Sequence, residues 1–180
     1  APVPLAATAP WPDAVATFTP FGYRPAPGGE AAIVPITAPG VPIIVAAIQA
    51  AFGHAAGFAL TPLAGGALVW LTFVIGRRVR SAWTGLAAAW LVSTSPALLF
   101  MIMWPMTDVP AAAWTALMTW ALLGPSSGGA FGGGLAAAGG VLTRPNFVAI
   151  ALGAGLWLTW SWVRRPDRAG LVRVLTFAAG

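Results

Sequence analysis

The residues able to do chemistry in this chain are few. The acids are Asp13, Glu30, Asp108 and Asp167, the one histidine is His54, and all nine basic residues are arginine. Cysteine is absent, which removes a disulfide framework and a thiolate metal site from consideration. A single histidine supports no Ser-His-Asp arrangement, and no His/Asp/Glu set has the spacing of metal ligands. The runs GGALVW (65–70) and AFGGGLAAAGG (130–140) are glycine-rich. They lack the preceding strand and following lysine of a phosphate loop, so they read as helix-packing surfaces.

Two residues remain as site candidates. Asp108 stands in Trp104-Pro-Met-Thr-Asp108-Val-Pro110, where one uncharged apolar run ends and the next begins. A carboxylate there must be solvated, paired or metal-bound, and ionisable groups at membrane depth are functional candidates by default. The competing reading is a helix N-cap, with proline two residues on in the first turn. Arg144, in Thr143-Arg144-Pro145-Asn146, lies apart from the other arginines. Its fork of donors suits pairing with Asp108 or binding a phosphate; snorkelling to lipid headgroups is the alternative. Tyr23 and Arg24, in Phe21-Gly-Tyr-Arg-Pro25, are candidates for substrate contact, whereas His54 reads as a spectator and Asp167 as a solvated partner of the arginines around it.

The elements that must hold these residues are hydrophobic. Of 180 residues 58% are hydrophobic and 7% charged, against roughly 25% charged in a soluble domain. Mean hydropathy is +0.83. Many of the ten tryptophans fall near the ends of apolar runs, where an amphipathic ring suits a membrane interface. Composition therefore predicts an all-α, polytopic transmembrane helix bundle, fronted by a Pro-rich outer loop over 1–40. A short interfacial helix is predicted over 41–53. Membrane helices are predicted over 58–76, 83–104, 109–123, 130–143 and 147–163, with a further helix starting at 171.

Seven arginines fall in two groups between apolar runs, Arg77, Arg78 and Arg80, then Arg164, Arg165, Arg168 and Arg173. This is the pattern of cytoplasmic loops and not of a nucleic-acid surface. Four crossings separate the two groups, so both lie on one side with the turn at 124–129. Asp108 and Arg144 then share the opposite, non-cytoplasmic face. The opening residues show no signal peptide, and a chain beginning at Ala1 and stopping within an apolar run reads as an internal fragment of a longer membrane protein.

Several segments, taken in order, carry a resemblance. Pro35-Ile-Thr-Ala-Pro-Gly40-Val-Pro-Ile-Ile44 resembles the "YPPGYPLL" element of GT-C glycosyltransferases related to protein O-mannosyltransferases and aminoarabinose transferases. Phe52-Gly53, the run ending in Gly76-Arg77-Arg78, and Ser95-Pro96 follow in the same order. Met106-Thr-Asp108-Val-Pro110 and Leu142-Thr-Arg144-Pro-Asn146 then look like the "SDVP" and "TRPN" elements of a bacterial branch. The similarity covers about residues 20–163. It implies a lipid-phosphate-sugar-dependent transferase in a bacterial plasma membrane. Such an enzyme moves a sugar from a polyprenyl-phosphate donor to a lipid, glycan or protein acceptor on the non-cytoplasmic face, among membrane lipids and without nucleic acid. By the same resemblance Asp108 matches a second acidic residue that arranges the site, in some members with a divalent metal, and Arg144 would steady the departing phosphate. The family's first acidic motif, an Asp-Glu pair serving as base, is not among these 180 residues, and Asp13 in Trp11-Pro-Asp-Ala14 does not match it. The expectation is that it precedes Ala1 and that the fragment alone is inactive. A non-catalytic polytopic protein, a transporter or an assembly subunit, is the other reading. A transporter would be expected to place polar residues at mid-membrane, and here the charges gather at the ends of the apolar runs.

Overall fold

The computed structural model describes residues 19, 23–27, 33–36 and 38–180. Asp13 and Glu30 lie outside the described residues. The chain divides into two units, Ala1–Ala38 and Pro39–Gly180. In the first, strands β1 (Tyr23–Pro25) and β2 (Ile33–Pro35) pair antiparallel, with Arg24 opposite Val34. These strands lie within the Pro-rich outer loop expected over 1–40; proline is tolerated in a two-stranded ribbon, whose edges need no ladder donor at every position.

About 80% of the described residues are helical. The second unit runs α1 (Gly40–Phe52), a 3-10 helix (His54–Ala59), α2 (Leu60–Val79), α3 (Ala82–Ser93), α4 (Pro96–Met101), α5 (Asp108–Leu122), α6 (Ser127–Thr143), a 3-10 turn (Pro145–Phe147), α7 (Val148–Arg164) and α8 (Arg168–Ala179). Local chemistry sets most boundaries. Arg77 and Arg78 close the last turn of α2, where cations complement the helix dipole. Ser81, Ser126 and Asp167 cap α3, α6 and α8 by accepting from the backbone N–H three residues on.

The single helix expected over 83–104 is divided. Ser95 is extended (φ −63°, ψ 121°) ahead of Pro96, as a residue before proline must tend to be. The chain therefore restarts as the short α4 and turns through 102–107 before α5. Two segments, His54–Val79 (26 residues) and Pro145–Arg164 (20 residues), are long and apolar enough to cross a membrane. Helices α5 and α6, of 15 and 17 residues, rise about 23 and 26 Å at 1.5 Å per residue, less than the roughly 30 Å of a hydrocarbon core.

Helix α2 packs against both α3 and α5, α5 against α6, α6 against α8, and α8 against α7. Small residues set these approaches. A Cβ on Gly76 would stand 2.7 Å from the Gly85 Cα, and one on Gly85 would stand 2.4 Å from the Phe73 carbonyl oxygen. The α2–α3 crossing therefore depends on both glycines. The largest buried cluster joins Ala111, Met118, Leu122, Ala130, Ala136, Ala137, Phe147 and Leu158. Half of these are alanine, while Trp70, Trp83, Trp90, Leu91, Leu156 and Trp160 stand outside with more than half their surface exposed. Small residues inside and large apolar residues outside invert the arrangement of a water-soluble core.

Candidate functional site

Asp108 is the first residue of α5. Its neighbour Thr107 occupies the cap position without a side-chain hydrogen bond. The Asp108 carboxylate instead accepts from Arg144 Nη1, so the two candidates 36 residues apart form an ion pair. It is the one salt bridge found among the described residues. The position still suits the helix dipole, which favours an anion in the first turn, but the capping role considered from sequence is not how this side chain is used.

Arg144 terminates α6 with extended backbone (φ −150°, ψ 112°), again as expected before a proline. Its N–H donates to the Gly140 carbonyl at 2.8 Å, and its carbonyl accepts from Phe147 N–H at 2.9 Å. Phe147 is 3% exposed, and its ring lies where a Cβ on Gly140 would stand, 2.6 Å away. The chain is thus turned sharply from α6 into α7, and Arg144 is held at the turn.

Two further contacts fix that turn to its neighbours. Thr143, 1% exposed, donates from Oγ1 to the Gly139 carbonyl and accepts from Trp114 Nε1 at 3.1 Å. Trp114 lies nearly two turns beyond Asp108 on α5 and covers Gly139. On another side, α1 begins against the same strip of backbone: a Cβ on Gly40 would stand 2.5 Å from the Leu142 carbonyl oxygen. Replacing Thr143 by Val keeps the shape and leaves the Trp114 N–H without its acceptor. The expected loss is about 1–3 kcal/mol of stability, read as a lowered Tm in detergent; Thr143→Ser should retain most of it.

The ion pair borders a recess of about 350 Å³ lined by Asp108, Ala111, Ala112, Thr115, Arg144, Asn146, Phe147 and Ile150. Asp108, Ala111, Ala112 and Thr115 share one face of α5 at helical spacing, and the others come from the turn into α7 and from its first turn. The pair stays open to it, with 35% of the Asp108 and 48% of the Arg144 side chain exposed. Arginine offers five donors, and Nη1 is the one committed to Asp108.

Asp108 is the one carboxylate available to a divalent metal in this recess. Magnesium-type sites use one or two carboxylates with waters and substrate phosphates. Here the one carboxylate is bonded to a guanidinium, and the described residues contain no cluster of three or more possible ligands.

Of the other candidates, Tyr23 and Arg24 are exposed on β1 in the first unit. His54 receives a 3.3 Å contact from Gln49 Nε2 at Nδ1 and meets Phe58 edge-on. Asp167 is exposed and caps α8 through Gly170 N–H at 2.8 Å, with no salt bridge to an arginine among the described residues. Compared with family models, curated proteins and solved structures, the chain shows no significant match.

Sequence reasoning passed over Trp114 and the packing role of Gly40. The signal for Trp114 was there: a tryptophan inside an alanine-rich helix, away from its ends, needs an acceptor for its N–H. No local signal marks Gly40, because its partner lies about a hundred residues away in the chain.

Proposed function

We propose that this chain is part of a GT-C-like membrane glycosyltransferase. It would move a sugar from a polyprenyl-phosphate donor to an acceptor on the non-cytoplasmic face of a bacterial plasma membrane. The observation that carries the reading is the convergence of three resembling segments at one place: Gly40 against Leu142, and Asp108 paired with Arg144. The apolar exterior and the two membrane-length segments support an enzyme working beside a lipid phase.

In this reading Asp108 orients Arg144, and the remaining Arg144 donors face the donor phosphate. As the bond from the sugar anomeric carbon to phosphate oxygen breaks, negative charge grows on the leaving polyprenyl phosphate, where a preorganised guanidinium is most effective. The acceptor hydroxyl oxygen bonds to that carbon and gives its proton to a base. The base is expected from the Asp-Glu motif that these 180 residues do not contain. Asn146 and Thr115 line the recess and supply polar groups for the sugar.

The test is transfer of labelled sugar from a polyprenyl-phosphate donor by membranes holding the protein. Arg144→Ala is expected to lower transfer about 10²–10³-fold, the cost of losing a preorganised group at developing charge. Arg144→Lys should recover only part, because lysine supplies a point charge without the fork. Full activity in Arg144→Ala would remove the phosphate-binding role. No transfer from any polyprenyl-phosphate sugar by the wild-type protein would favour the non-catalytic membrane reading instead.

A further inference from the structure

Away from Asp108, the turn joining α5 to α6 gathers arginines from distant parts of the chain. Arg173, on α8, reaches across to α5 and donates from Nη2 to the carbonyls of Leu122 (3.0 Å) and Gly124 (2.8 Å). From α2, the Arg78 guanidinium lies against the same turn, 3.4 Å from where a Cβ on Gly124 would stand. Beside them is a recess of about 260 Å³ between the end of α7, the start of α8 and Pro125. Its polar lining is Ser161, Arg165, Asp167 and Arg173, with the Trp162 ring on one wall.

The charge in this recess is unbalanced. Two guanidinium groups face one carboxylate, and Asp167 Oδ1 already accepts from Gly170 N–H. Neither Arg165 nor Arg173 forms a salt bridge among the described residues. Arg173 Nε is buried without a hydrogen-bond partner, an unusual state for a charged donor, since an unmet buried donor carries its full desolvation cost. Arg164, next in sequence to Arg165, is by contrast stacked over Trp160 at 4.8 Å. The buried unmet donor is therefore Arg173's, and Arg165 lines the same recess as an exposed guanidinium with no salt bridge among the described residues.

We propose that this recess binds a phosphate group, held by Arg165 and Arg173. Guanidinium forks match phosphate oxygens in geometry and charge. The recess lies at the end of Pro145–Arg164, one of the two membrane-length segments. An anionic phospholipid headgroup can reach such a place with its acyl chains along the helix, and basic pockets between membrane helices are known to take headgroups of this kind. Only this lipid source depends on that segment crossing a membrane. Inorganic phosphate or a soluble phosphate ester would use the same donors.

The experiment is native mass spectrometry of the full chain in neutral detergent, titrated with phosphatidylglycerol in one arm and inorganic phosphate in the other. The expected result is one saturable phosphatidylglycerol per chain. Arg165→Gln should weaken it about tenfold, the scale of one charge-assisted hydrogen bond. Arg173→Gln also removes the bonds to Leu122 and Gly124, so the surface residue Arg165 carries the test. Arg80→Gln, with the same change in net charge in the other arginine group, should leave binding unchanged. Saturation by inorganic phosphate at equal strength, with the same Arg165 dependence, would keep the phosphate site and assign it to a soluble ligand. Equal weakening by Arg80→Gln and Arg165→Gln, or no saturable binding in either arm, would overturn the proposal.

Discussion

Asp108→Asn is expected to lower sugar transfer about 10²–10³-fold, the range for losing a preorganised electrostatic element, with membrane insertion unchanged. The substitution keeps the size and planar shape of the side chain and removes its charge. Arg144 then loses its one ionic partner. With nearly half of its side chain exposed, its guanidinium is free to take other rotamers and no longer presents a fixed fork to phosphate. The helix itself should survive, because Asp108 does not cap it and Val109 and Pro110 beside it are buried. The measurement is transfer by membranes of the intact protein, with insertion checked separately by carbonate extraction. A double-variant comparison sharpens it: residues acting as a unit are strongly non-additive. Asp108→Asn combined with Arg144→Ala should therefore be no worse than either alone. Unchanged transfer in Asp108→Asn would take Asp108 out of the mechanism, and multiplying losses would mean the two act separately.

Gly40→Ala is expected to be nearly as damaging, although it touches neither charged residue. The added Cβ would lie 2.5 Å from the Leu142 carbonyl oxygen and 2.9 Å from the Thr143 backbone nitrogen. Both are backbone atoms, so no side chain can turn aside to relieve the clash. Either α1 moves off or the 142–144 segment shifts, and Arg144 moves with it. A displacement of about 1 Å at a positioned group can cost on the order of 10²-fold in rate. Overpacking should also lower stability by about 1–3 kcal/mol. Transfer assays and Tm together test this. Wild-type values of both would show that the α1–α6 contact does not hold the site, whereas a lowered Tm with full transfer would confine Gly40 to packing.

Much of the local structure was legible in the sequence. Ser81, Ser126 and Asp167 cap helices because short polar side chains reach backbone N–H groups three residues on. Pro96 and Pro145 place extended residues before them for a reason confined to the neighbouring residue. The proline at 96 also divides a run that hydropathy alone reads as one span, because hydropathy counts apolar side chains and says nothing about backbone geometry. Asp108 and Arg144, charged residues at the boundaries of apolar runs and apart from the arginine groups, could be picked out by charge and place.

What the sequence by itself determined, then, is helical content, the apolar character of the helices, several of their ends, and two candidate charges. Tertiary structure alone decided that those charges bond to each other instead of one capping a helix and the other snorkelling. It also decided that Trp114 meets Thr143 and that Gly40 meets Leu142, and that Arg165 and Arg173 line one recess with Arg173 Nε left unpartnered. The reason is physical. Caps and proline effects act over a few residues, so a short window of sequence contains them. Pairings across 29, 36 or a hundred residues depend on how glycine and alanine let whole helices approach, and no window of the sequence holds both partners.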